Sequence, residues 1–195
     1  MIKNIILDMG NVLLDYNPDV CLDHFLEKKE EKAIIKKELF DGPEWVDADL
    51  GNITEAELYD SVKLRVPEYL HPALKDCTLH WSMCMKPVKG AEEFCKYARK
   101  KGYKLYVLSN ASASFYDYFP SFLPLDFFDG VVVSSDIHLI KPDRKIYEYL
   151  LERYQLKAEE CFFLDDRADN IEAAKAVGME GMVFQGDYEA VKGVL

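Results

Sequence analysis

The chain has no Cys-x-x-Cys pair, and its five cysteines (Cys21, Cys77, Cys84, Cys95 and Cys161) are odd in number and scattered in spacing. That pattern excludes a disulfide framework and fits buried thiols kept reduced. No apolar run approaches the length of a membrane span. Met1 to Asp8 passes directly into a short apolar run and a charge, so no leader is expected, and the chain reads as soluble and cytoplasmic. Basic charge is also scarce: 24 Lys and Arg face 35 Asp and Glu, a net charge of −11. Nucleic acid and anionic membranes are therefore poor partners. A phosphate ligand needs a cation concentrated at its own site. The four histidines share no metal-ligand spacing, and no repeat or low-complexity tract interrupts the sequence.

What is present is an ordinary globular composition, 49% hydrophobic and 30% charged over 195 residues. This suits one core with a modest insertion. Four apolar runs are continuous rather than alternating: Ile5-Ile6-Leu7, Leu105 to Leu108, Val131-Val132-Val133 and Cys161 to Leu164. Continuous runs mark strands covered by helices on both faces. Met182-Val183-Phe184 supplies a fifth. Helical patterns over 91–101, 142–156 and 171–177 separate them, the first and last stopped by Gly102 and Gly178. Strands alternating with helices predict a doubly wound, Rossmann-like α/β parallel sheet.

The stretch from Pro18 to Lys86 breaks this alternation. It reads as helices over 20–40, 54–66 and 72–85, with Thr54-x-x-Glu57 as a capping box. The chain thus divides into a core of residues 1–17 and 87–195 and a small all-helical insertion of residues 18–86 after the first strand. Trp45, Trp81, Tyr59 and Tyr69 are expected to pack that insertion. Charge runs such as Lys28 to Lys32 belong on a solvated helix face.

In a parallel α/β sheet, ligands bind beyond the carboxyl ends of the strands. Those ends carry Asp8, Ser109-Asn110, Ser134-Ser135-Asp136 with Lys141 soon after, and Asp165-Asp166. Carboxylates, a hydroxyl and a lysine converge on one edge of the predicted sheet.

These residues, in this order, resemble the four motifs of the haloacid dehalogenase superfamily. Asp8-Met9-Gly10-Asn11-Val12 is similar to the first, Ser109-Asn110 to the second, Lys141-Pro142 to the third, and Leu164 to Asn170 to the fourth. The helical insertion falls where the family places its first type of cap. The resemblance implies a Mg²⁺-dependent phosphohydrolase acting on a small phosphorylated metabolite. Asp8 would be the nucleophile, forming an aspartyl-phosphate. Asp8, the Gly10 carbonyl and Asp166 would hold the metal, with Asp165, Asp169 and Asn170 behind them. Ser109, Asn110 and Lys141 would bind and neutralise the phosphoryl group. Asp15 matches a carboxylate near the hinge to the cap, with a structural role.

One position departs from the family pattern. Its phosphatases carry a second aspartate two residues after the nucleophile, as the acid that protonates the leaving group; here that position is Gly10. General acid catalysis contributes about 10²–10⁴-fold. Its absence leaves three expectations: an easily expelled leaving group, another acid, or slow turnover. The Asp-x-Gly-Asn-Val variant resembles a subgroup associated with sugar phosphates. Two alternatives stay open, a metal-free 2-haloacid dehalogenase and a catalytically weak phosphometabolite-binding module. The first has no use for the Asp165-Asp166 pair.

Overall fold

The computed structural model describes all residues, 1–195. Its centre is a parallel sheet in which β1 (Asn4–Leu7) lies between β4 (Lys104–Ser109) and β6 (Cys161–Asp165), with β5 (Gly130–Val133) and β7 (Glu180–Val183) at the edges. All four pairings are parallel, and Ile6 stands opposite both Tyr106 and Phe163. The continuous apolar runs now have their reason. Ile5 and Leu7 of β1, Leu105 and Val107 of β4, and Phe162 and Leu164 of β6 enter one hydrophobic cluster. Ile6, Tyr106, Leu108, Cys161 and Phe163 point the other way, into a second. A strand buried on both faces cannot alternate apolar with polar.

On the second face, α9 (Arg144–Arg153) and α10 (Ala168–Ala176) cover the sheet through Ile146, Tyr147, Leu150, Ile171 and Ala174. The first face takes α6 (Ala91–Lys100), whose Phe94, Cys95 and Ala98 are buried, and α11 (Tyr188–Val194). The α11 helix, about two turns long and capped by the Asp187 carboxylate, was not expected. The α9 helix starts two residues after Pro142, where the Asp143 carboxylate accepts the Lys145 amide as its cap. All five cysteines are free and buried. No helix is long and apolar enough to cross a membrane.

Between β1 and β4 the chain leaves and re-enters through two short antiparallel strands that the sequence did not reveal, β2 (Leu14–Tyr16) and β3 (Met85–Pro87). Three residues are too few to show a period of two. Asp15 stands opposite Lys86 on this ribbon and pairs with it at 3.5 Å, a structural contact at the neck of the insertion. Every regular element between the two strands is helical. The boundaries differ, however. The helix expected over 20–40 is broken into α1 (Asp19–Phe25) and α2 (Lys29–Ile35), the latter running into a π-helical turn at Lys36–Phe40. From Glu27 to Lys32 there is no apolar side chain to hold a continuous helix against the body, and Leu26 and Lys28 are extended. The 72–85 helix ends early: α5 (His71–His80) tightens into a 3₁₀ turn and Met85 already belongs to β3. The α4 helix (Glu55–Val62) carries the capping box of Thr54 and Glu57 in full.

A further helix, α3 (Pro43–Asp49), was not expected. Pro43 in its first turn is the signal that marks it. It ends against the core: the Ser134 hydroxyl donates to the Asp49 carbonyl at 2.5 Å, and His138 Nδ1 to the Leu50 carbonyl at 2.8 Å. Gly51 completes the contact at φ +71°, where an added Cβ would sit 2.5 Å from the Ser135 carbonyl oxygen. Both the backbone conformation and the space require glycine. Gly51→Ala is expected to cost about 1–3 kcal/mol by urea unfolding, as overpacking does; an unchanged midpoint would show that this contact yields freely.

Candidate active site

Asp8 follows the last residue of β1, the central strand, and so sits midway along the carboxyl edge of the sheet. Its Oδ1 accepts the Met9 amide at 2.7 Å and the Lys141 ammonium at 2.7 Å, which leaves Oδ2 open. Lys141 reaches in from the loop between β5 and α9, with its side chain 1% exposed. It also donates to Asp165 Oδ2 at 2.8 Å and to the Leu108 carbonyl at 2.9 Å. All three ammonium protons therefore have acceptors.

Asp165, the last residue of β6, has no exposure and no spare capacity. Its Oδ1 accepts the Arg167 backbone amide at 2.9 Å, and the Asn170 side-chain amide spans both oxygens at 3.0 Å. Asp166 is less buried and takes one bond, from the Asn11 side-chain amide at 2.9 Å. Oxygen atoms of Asp8, Asp165 and Asp166 all lie within 4.8 Å of one another. Three carboxylates against a single lysine leave an excess negative charge in a small volume. Hard oxygen donors of this kind suit Mg²⁺.

The electrostatics follow from this crowding. Burial is the main force that pushes the Asp8 carboxyl up to about 7; Lys141 pulls it down, while Asp165 and Asp166 push it further up. Burial works against the Lys141 charge, yet Asp8 and Asp165 outweigh it and hold the ammonium above its ordinary value. Lys141 stays a cation.

The other expected residues are placed as follows. The Asn110 side chain is committed to Lys141: its Oδ1 accepts the Lys141 backbone amide at 2.8 Å and its Nδ2 donates to the Lys141 carbonyl at 3.0 Å. Ser109 is fully buried beside it, and its only bond, to the Asn110 carbonyl, is long at 3.4 Å. Asn170 meets Asp165. Asp169 does not reach the carboxylate cluster; it forms a two-pronged pair with the exposed Arg167 guanidinium. Gly10 has nothing within 4 Å of a notional Cβ and no positive φ. Instead Asn11 occupies the left-handed region at φ 55°, which asparagine tolerates better than most residues.

A cavity of about 210 Å³ opens over Asp8, Gly10, Asn110 and Asp166. Residues from the helical segment and the ribbon wall it: Tyr16, Trp45, Asp49, Trp81 and Met85, with Tyr118 from the core. The rings form a chain, Tyr16 to Trp45 at 6.2 Å, Trp45 to Trp81 at 5.4 Å and Trp81 to Tyr118 at 5.0 Å. Tyr16, Asp49, Met85, Ala111 and Tyr118 are lining residues to which sequence reasoning gave no place in the site. Asp49 lies in the last turn of a helix whose signal was Pro43.

Asp49 keeps some exposure, yet burial is the first cause that pushes its carboxyl up to about 7, followed by the charge of Asp8; the Ser112 backbone amide acts in the opposite direction. Burial likewise pushes the Tyr16 and Tyr118 phenols above their ordinary range.

A sesquiterpene phosphatase of Aspergillus oryzae is 29% identical over 182 residues, 92% of this chain and 88% of that protein. A D-ribitol-5-phosphate phosphatase of Bacteroides thetaiotaomicron is 24% identical over 92% of this chain and 90% of its own length. Among solved structures, a haloacid dehalogenase family enzyme from the same bacterium, in complex with magnesium and inorganic phosphate, superposes with a TM-score of 0.73 at 22% identity, covering 98% of this chain and 99% of its own. At that identity the likeness establishes the fold. The family model for haloacid dehalogenase-like hydrolases matches residues 2–178, nearly the whole chain and all four strand-end motifs. The chain belongs to the haloacid dehalogenase-like hydrolases.

Proposed function

We propose that this hydrolase is a Mg²⁺-dependent phosphohydrolase that cleaves a small phosphate monoester through an aspartyl-phosphate on Asp8. The observation that carries this reading is the convergence of Asp8, Asp165 and Asp166 within 4.8 Å, with Lys141 bridging two of them. A 2-haloacid dehalogenase needs no metal, and nothing in its chemistry calls for that acidic cluster. The two dehalogenase structures that share the fold do so at 17% and 18% identity, which speaks to the fold alone.

In this reading the Asp8 carboxylate, the Gly10 carbonyl and Asp166 would hold the metal, which would supply positive charge to the phosphoryl oxygens. Asp8 attacks phosphorus with the oxygen that accepts no protein donor. Lys141 neutralises charge on Asp8 and the transferring group. Asp165 acts through Lys141, fixing its position with the help of Asn170. Ser109, whose present bond is long, turns its hydroxyl to a phosphoryl oxygen beside Asn110. The residues 18–86 act as a cap domain whose rings wall the cavity.

The leaving group must present an apolar face to Tyr16, Trp45, Trp81 and Tyr118. Sugar phosphates, whose C–H faces stack on aromatic rings, are the first class to assay, and prenyl phosphates the second. Phosphate release from such a panel with Mg²⁺, lost on chelation, supports the proposal; chloride release from chloroacetate without metal defeats it. Asp166→Ala is expected to lose Mg²⁺ binding and activity together, because one or two carboxylates hold such an ion with little redundancy. Calorimetry that finds unchanged Mg²⁺ affinity in this variant removes Asp166 from the metal.

A further inference from the structure

Gly10 leaves the leaving group without its usual acid, and the cavity offers few replacements. Its acidic lining residues are Asp8, Asp49 and Asp166. Asp8 and Asp166 belong to the three-carboxylate cluster, and Asp49 does not. Tyr16 and Tyr118 are poorer acids than free phenols in this setting, and arginine does not give up its proton. Asp49 alone has the chemistry, and its position is built rather than incidental. It closes α3 at the point where Ser134, His138 and the Gly51 contact dock this helix on the core. Trp45 and Trp81 stand beside it along the same wall. No lysine or arginine is among the groups acting on its carboxyl. The surroundings thus favour the neutral acid near neutral pH, and burial, the larger cause, is a property of the walls.

We infer that Asp49, fixed by the docking of α3 in the wall of the cavity that Asp8 also lines, is the general acid that protonates the leaving-group oxygen in place of the residue missing at position 10. The inference rests on the phosphohydrolase reading above. In the first half-reaction a bond forms between the Asp8 oxygen and phosphorus, and the bond from phosphorus to the ester oxygen breaks. The departing oxygen takes the Asp49 proton, so an alcohol leaves and Asp49 becomes a carboxylate. In the second half-reaction water attacks the aspartyl-phosphate and its proton passes to Asp49. Inorganic phosphate departs, and both aspartates return to their starting states.

The test compares two aromatic substrates of similar shape and different leaving-group acidity, benzyl phosphate and 4-nitrophenyl phosphate, each with Mg²⁺. Asp49→Asn should lower kcat on benzyl phosphate by about 10²–10⁴-fold. The loss on 4-nitrophenyl phosphate should be far smaller, since nitrophenolate leaves without a proton. Gly10→Asp in the Asp49→Asn background should restore benzyl phosphate turnover, as the open space around Gly10 admits a side chain. Equal losses on both substrates, or none on either, would overturn the assignment of Asp49. Rapid-quench trapping of phosphorylated Asp8 keeps the two ideas apart. If the phosphoenzyme forms on 4-nitrophenyl phosphate and the Asp49 variant shows no leaving-group dependence, only the acid is wrong. If no phosphoenzyme forms at all, the aspartyl-phosphate reading itself fails.

Discussion

Asp8→Asn is expected to lower phosphate release by at least about 10⁴-fold, the scale on which removal of a covalent nucleophile acts. The amide has nearly the same shape and can still accept from Met9 and Lys141, but it cannot attack phosphorus. Its effect on stability should depend on pH. Burial raises the folded Asp8 carboxyl from 3.8 to about 7. Between those pH values the folded chain keeps a proton that the unfolded chain has released. Wild-type stability therefore falls as pH rises through this window and levels off above it. Asparagine does not ionise and escapes that loss. In chelator the variant should therefore lose less stability than wild type does between pH 4 and pH 8. Urea unfolding at pH 4 and pH 8 measures it, and full activity in a contaminant-free variant would end the nucleophile assignment.

Lys141→Met should be the most destabilising single change at the site, by about 3–5 kcal/mol. The side chain is of similar length and fits the buried channel, so lost volume is not the cause. What changes is that Asp8 and Asp165, bonded to the ammonium at 2.7 and 2.8 Å, lose the cation between them. Activity should vanish as well. A double-mutant cycle separates this effect from packing. With Asp165→Asn in the background, one of the two stranded charges is gone, and Lys141→Met should cost less by roughly 1–3 kcal/mol. Strict additivity would mean that the lysine contributes through its methylenes and not through its charge.

Much of the core was legible in the sequence because it rests on period and order. Strands buried on both faces appear as unbroken apolar runs, and the Asp8, Ser109, Lys141 and Asp165-Asp166 positions follow from where those runs stop. The expected helices of the insertion were placed in type but not in extent. A helical pattern says nothing about where tertiary packing ceases to support it, and the charged run from Glu27 to Lys32 is where the first one breaks. The short strands β2 and β3 lie below the length at which alternation can be seen. Asp49 was hidden for a different reason. Its place in the cavity wall is set by the end of α3 docking on the core, Asp49 on Ser134 and Leu50 on His138, 85 and 88 residues apart along the chain. Nothing local to Asp49 distinguishes it from Asp47 two positions earlier.

The interlocking bonds behind the nucleophile set terms for inheritance and for transplantation. Asn110 grips the Lys141 backbone from both sides, Lys141 ties Asp8 to Asp165, Asn170 spans Asp165, and Asn11 holds Asp166. Each strand end thus supplies a part whose orientation is set by a part from another strand. A lineage that altered one of these residues would have to alter its partner in the same step or pass through a disabled ancestor. Grafting the Asp8 loop alone onto a different sheet would carry over the nucleophile and leave behind the parts that aim it.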